Sequence, residues 1–81
     1  MLDPFVRAFT AQAAGHVTAI AEGDRVTLTS GDYAERLTLA VDGPGVRCTR
    51  HAEGASASLT IRSLRDVPVV LFWCAKVGVL T

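Results

Sequence analysis

The sequence predicts an α+β fold in which an N-terminal helix packs on a five- or six-stranded antiparallel β-meander. Three observations support this class. Apolar residues alternate with Arg, Thr and Ser through the middle of the chain, short segments rich in Gly, Asp and Ser divide that region, and an apolar stripe of helical period precedes it. A C-terminal apolar segment follows, and we expect it to form a further strand or a buried helix.

The predicted N-terminal helix covers residues 3–14. Asp3 is able to cap it, Pro4 suits its first turn, and Gly15 is expected to end it. An apolar stripe on the only clear helix of a small domain is expected to face the core. The stripe recurs every four residues and consists of Phe5, Phe9 and Ala13.

Five strand candidates follow the helix, at residues 16–21, 24–30, 34–41, 45–51 and 57–63. Alternation of period two places their apolar side chains on one face and Arg, Thr and His on the other. Three of the strands contain the pattern Arg, apolar, Thr, and the arginines lie eleven residues apart at Arg25, Arg36 and Arg47. Eleven residues is one strand plus one turn, so antiparallel turns send Arg25 and Arg47 towards one end of the sheet and Arg36 towards the other.

The first strand pair has a predicted register. A two-residue loop at 22–23 pairs Ala21 with Asp24 and Ala19 with Val26, which brings small and apolar residues together on one face.

The C-terminal segment, residues 67–80, contains a single charged residue, Lys76. Its β-branched and aromatic side chains favour a strand, although Asp66 followed by Val67 and Pro68 is also able to start a helix. We favour the strand and leave the helix open. Exposing its large apolar side chains would forfeit about 1.5 to 3 kcal/mol each, so the segment must pack on the sheet or on another chain.

Length and composition indicate one domain, residues 1–81, with a formal net charge of zero. Neutrality argues against a dedicated nucleic-acid-binding protein, whose binding surface is usually basic. Seven arginines against one lysine suggest a GC-rich coding background, such as that of a bacterium or its phage. The start of the chain lacks the features of a signal peptide, and no apolar span reaches the roughly 20 residues of a membrane helix. We therefore expect a cytoplasmic protein with no membrane association.

Metal binding and catalysis are not predicted. Cys48 and His51 have C-x-x-H spacing, and His16 and Cys74 would complete a zinc ligand set, but residues three apart on a strand point to opposite faces. Two cysteines allow one bridge, which a reducing compartment disfavours. The sequence contains no nucleophile elbow, no phosphate-binding glycine loop and no paired carboxylates on one element. We expect no enzyme activity, no metal and no cofactor.

The leading prediction is a small non-catalytic protein-binding module, such as an inhibitor, an immunity-type protein or an adaptor. It would act by occupying the surface of a partner protein, alone or as a homo-oligomer, because the apolar C-terminal segment and the strand edges are available for contact. The alternative is a nucleic-acid-binding module that uses the Arg and Thr face of the sheet. The candidate partner-binding residues are Arg25, Arg36, Arg47, His51, Arg62, Phe72 and Trp73.

Overall fold

The computed structural model describes residues 2–13, 16–30, 36–52 and 54–75 of the chain. Its elements are helix α1 (Asp3–Gln12), strands β1 (Val17–Glu22), β2 (Arg25–Ser30), β3 (Arg36–Asp42), β4 (Gly45–Ala52) and β5 (Ala55–Ile61), a 3-10 turn (Leu64–Asp66) and helix α2 (Val67–Ala75). The strands form one sheet in the order β1-β2-β3-β4-β5, with every neighbouring pair antiparallel. The predicted α+β class, N-terminal helix and meander are confirmed.

The predicted register of the first hairpin was wrong by two residues. Glu22 pairs with Arg25 and Ala21 with Val26, so the loop is Gly23-Asp24 and not residues 22–23. The first position of such a loop has positive φ, which Gly23 adopts at 64° and a glutamate would adopt only with strain. Because a shift of two residues preserves the side-chain alternation, the predicted faces of both strands are unchanged.

One face of the sheet is dry and carries the core. The fully or almost fully buried side chains from the strands are Leu28, Leu37, Leu39, Val46, Cys48 and Ile61. Helix α1 adds Phe9 to this cluster, and α2 adds Val67, Val70 and Cys74. The aromatic stripe of α1 is therefore core, as predicted, with Phe5 and Ala13 packed against the same cluster.

The C-terminal segment forms a helix, so the strand that the residue types favoured was wrong and the helix alternative is correct for residues 67–75. Pro68 has no backbone N–H, so in a strand it would leave a gap in the hydrogen-bond ladder. In the first turn of a helix the N–H has no intrahelical acceptor, and its loss costs little. The sheet is about 19 Å across, while a helix is only about 10 Å wide. Helix α1 alone therefore cannot cover the dry face, and α2 completes the layer. Residues 76–80 of the predicted segment lie outside the described residues.

The helix ends also differ from the prediction. Asp3 is the first helical residue of α1, and Leu2 occupies the N-cap position without a side-chain cap. Helix α1 ends at Gln12, and Gly15 lies outside the described residues. Before α2 the capping side chain is Ser63, whose Oγ accepts a hydrogen bond from the Arg65 amide at 3.3 Å. Within the described ranges, neither helix is long and apolar enough to cross a membrane.

Candidate protein-binding surface

Helix α2 is apolar on both of its sides. Its nine residues include no charged side chain, and the side that faces the sheet buries Val67, Val70 and Cys74. On the opposite side Val69 is 62% exposed and Phe72 is 67% exposed. A helix that is apolar all round is ordinarily buried on all sides. We refer to the exposed residues Pro68, Val69 and Phe72 as the α2 outer surface.

Phe72 and Trp73, both predicted to contact a partner, have different positions on α2. Trp73 is half-buried, its carbonyl oxygen accepts a hydrogen bond from Nη1 of Arg50 at 2.8 Å, and Cζ of Arg50 lies 4.1 Å from the centroid of its ring. Phe72, one residue earlier, lies on the exposed side of the helix. Trp73 therefore attaches α2 to the sheet, while Phe72 belongs to the exposed surface.

Arg50 is an important residue that the sequence interpretation did not single out, and it contradicts the expectation that the arginines of the strands lie on the wet face. It lies on the dry face of β4, opposite Leu37 of β3 and Ala57 of β5. The signal was present in the alternation, because the residue two positions after buried Cys48 must point to the same face. Its guanidinium satisfies a carbonyl in the last turn of α2, where the helix leaves its own carbonyls unpaired and attracts positive charge.

The outer face of the sheet carries a network of hydroxyl groups. Paired positions place Ile20, Thr27, Thr38, Thr49 and Ser58 in one row across all five strands. The Oγ atoms of Thr49 and Ser58 lie 2.8 Å apart, and those of Thr27 and Thr38 lie 3.4 Å apart. Neighbouring side chains thus satisfy many of the polar groups on this face.

His51 belongs to the same network. Its Nε2 lies 3.2 Å from Oγ1 of Thr38, and its Nδ1 lies 2.9 Å from Oγ of Ser56. Burial, and then the nearby charge of Arg36, lower the pKa of His51 below its ordinary value of 6.5, which favours the neutral ring at neutral pH. Both ring nitrogens have hydroxyl partners, and the ring faces away from the core.

The thiols lie on the other side of the sheet. Cys48 and Cys74 are free and buried, so the structure contains no bridge between them. Burial raises the pKa of Cys48 to about 12 and that of Cys74 to about 11. Cys48 and His51 therefore point to opposite faces, as predicted. Among the described residues, no group of three or more His, Cys, Asp or Glu side chains converges as a metal site would require.

The arginines of the outer face divide into two groups. Arg25 and Arg47 lie in one row, on either side of Ala40, whereas Arg36 lies opposite His51 at the other end of β3. Arg62 directly follows β5 at the same end of the sheet as Arg25. It packs over Gly45, since a Cβ atom added to that glycine would lie 3.3 Å from Cγ of Arg62. Nη2 of Arg47 is 3.3 Å from a carboxylate oxygen of Asp42, which partly neutralises this end.

Comparison with known proteins adds no functional information. No protein-family model, no curated protein sequence and no solved structure matches the chain. Any functional conclusion for this protein therefore depends on its own surfaces.

Proposed function

We propose that the protein is a non-catalytic protein-binding module of the inhibitor, immunity-protein or adaptor type, which acts by covering part of a partner's surface with α2. The observation that carries this proposal is the exposure of Val69 and Phe72 on a helix without a charged residue. Burying each side chain contributes about 1.5 to 3 kcal/mol. Two large apolar side chains that remain exposed within one turn of a helix are typical of a contact surface.

The partner should present an apolar groove that accepts the outer side of a helix. A standard interface takes about 800 Å² from each protein, which is a substantial part of the 4888 Å² accessible surface here. The α2 outer surface is smaller than that, so it would form the centre of the contact. The preceding turn, where Leu64 is 46% exposed, would extend it.

The test compares Val69→Asp with Ile20→Asp. Val69 lies in the first turn of α2, where a carboxylate is favourable for the helix, so the substitution changes the surface and keeps the element. Ile20 is 51% exposed and lies on the far face of the sheet, which makes it a matched control. We expect the wild type and Ile20→Asp to capture the same protein from an extract of the source cell, and Val69→Asp to lose it.

Circular dichroism and urea unfolding of the purified variants provide the folding control. A folded Val69→Asp variant that captures the partner as well as the wild type does would contradict the proposal. Equal loss in both variants would also contradict it, because the contact would then not depend on α2.

A second candidate function is nucleic-acid binding at the end of the outer face that carries Arg25, Arg47 and Arg62. It predicts salt-sensitive binding of RNA or DNA that is lost in the double variant Arg25→Glu, Arg62→Glu. The double variant Arg7→Glu, Arg65→Glu changes two exposed arginines outside the strands and is the matched control for the change in charge. Binding that is absent in the wild type, or equally reduced in both variants, would remove this candidate.

A further inference from the structure

Among the described residues, strand β5 forms an open edge of the sheet without the usual protection. Its sequence, Ala-Ser-Ala-Ser-Leu-Thr-Ile, contains no charged residue and no proline, and its first four residues are small and exposed. Natural edge strands are commonly protected by lysine, proline or a bulge, because unpaired backbone groups attract another strand. The opposite edge, β1, carries Glu22.

The unpaired backbone groups of β5 can be assigned from its hairpin. Ala52 and Ala55 are paired on either side of a two-residue loop. In a hairpin of this kind the amide of the residue after the loop, Ala55, donates to the carbonyl of the residue before it, Ala52. Backbone groups alternate in direction along an antiparallel strand. Ala55, Ala57 and Leu59 therefore direct their amides and carbonyls towards β4, while Ser56, Ser58 and Thr60 direct theirs outwards.

We propose that this edge binds a second copy of the chain, with the two β5 strands antiparallel about a two-fold axis at Ser58. Ser58 then faces Ser58 of the second copy, and Ser56 faces Thr60 of the second copy. Ser56, Ser58 and Thr60 are the residues whose backbone groups point outwards, so each of these pairs exchanges two backbone hydrogen bonds across the seam. The result is one continuous ten-stranded sheet, which removes both β5 edges.

The side chains at this register are self-complementary. On the dry face Ala57 meets Leu59 and Ala55 meets Ile61, so each small side chain lies beside a large one. On the outer face only hydroxyl groups meet, and no charged residue of β5 lies in the seam. An isologous contact of this kind closes as a dimer, because one two-fold axis relates both copies.

Helix α2 lies on the dry face of the sheet, close to the boundary between the two β5 strands. Arg50 of β4 contacts Trp73, which places the C-terminal half of α2 above the strand next to β5. In the dimer the two β4 strands are about 14 Å apart, so the two α2 helices flank the seam side by side. The dimer would therefore present two α2 outer surfaces in one direction.

The test is a charge exchange at the two-fold axis. Ser58→Lys and Ser58→Asp each place like charges directly opposite one another and should weaken the dimer about fivefold. An equal mixture of the two variants pairs Lys with Asp and should restore wild-type association. The matched control is the same exchange at Thr18, an exposed hydroxyl residue on β1.

Sedimentation equilibrium of the full chain, from micromolar to millimolar concentration, provides the measurement, with circular dichroism to confirm folding. We expect a wild-type dimer, weakened by either Ser58 variant and restored by mixing. A wild type that remains monomeric throughout this range would overturn the proposal. A dimer that is weakened by the Thr18 variants or by Val69→Asp, and not by the Ser58 variants, would also overturn it. Weakening by Val69→Asp alone would place the dimer contact on α2 and so remain consistent with the proposed function.

Discussion

At the scale of single residues, alternation along the strands has the largest consequences. It sends Cys48 into the core and His51 to the outer face, so two residues with a metal-binding spacing have separate environments. It also sends Arg50 under α2, although an arginine would ordinarily be assigned to the wet side. Side-chain type alone would have placed Arg50 wrongly, whereas its position two residues after Cys48 places it correctly.

His51 provides a prediction for pH dependence. Its pKa is lowered in the folded protein by burial and by Arg36, so the unfolded chain binds more protons just below pH 6.5. Its contribution to stability is therefore complete above the unfolded pKa and is lost as the pH falls through the folded pKa. We expect urea unfolding to show a larger fall in stability between about pH 7.5 and about pH 5.5 for the wild type than for His51→Gln.

Carboxylate titration is common to both proteins in that comparison, so the difference between them reports on His51. An identical fall in the wild type and in His51→Gln would show that the ring titrates equally in the folded and unfolded states.

At the scale of elements, the strands are the part of the fold that the sequence predicts well. Their apolar residues alternate and their turns contain Gly and Asp, so pattern and turn chemistry agree. Helix α2 is ambiguous for a physical reason: a segment that is apolar on every side has no period, and Val, Phe and Trp favour strands when considered alone. The width of the sheet decides between helix and strand, because a five-stranded sheet needs a second helix to cover its dry face. That width depends on all five strands and cannot be read from the segment itself.

The attachment of α2 to the sheet leads to the second prediction. Arg50→Ala removes a charged hydrogen bond to Trp73 and a cation–π contact, so we expect a loss of about 2 kcal/mol in the free energy of unfolding. The stability of Arg50→Lys should lie between that of the wild type and that of Arg50→Ala, because lysine retains the charge and loses the planar stack on Trp73. Urea unfolding followed by the fluorescence of Trp73, the single tryptophan, measures both.

Arg47→Ala is the control for Arg50. Arg47 forms an exposed ion pair with Asp42 and should contribute less than about 0.5 kcal/mol. Equal losses from Arg47→Ala and Arg50→Ala would mean that the contact with α2 adds nothing beyond a surface charge.

At the scale of the whole molecule, the outer face of the sheet and the outer side of the helical layer differ in polarity. The outer face of the sheet pairs many of its hydroxyl and charged groups with one another, through Thr49 with Ser58 and Arg47 with Asp42. The helical layer instead exposes Val69 and Phe72. The sequence composition indicates a strongly apolar C-terminal segment. It could not indicate which of its side chains stay exposed, because adjacent Phe72 and Trp73 take different positions only once the helix packs on the sheet.

A site-specific photocrosslinker is the most direct measurement of the central claim that α2 is the contact surface. Benzoylphenylalanine is placed at position 69 in one variant and at position 20 in another, and both are irradiated in extract of the source cell. We expect a defined heavier product, containing this chain and one other protein, from position 69 and none from position 20. The same product from position 20, or no product from position 69 under conditions in which the wild type captures its partner, would contradict it.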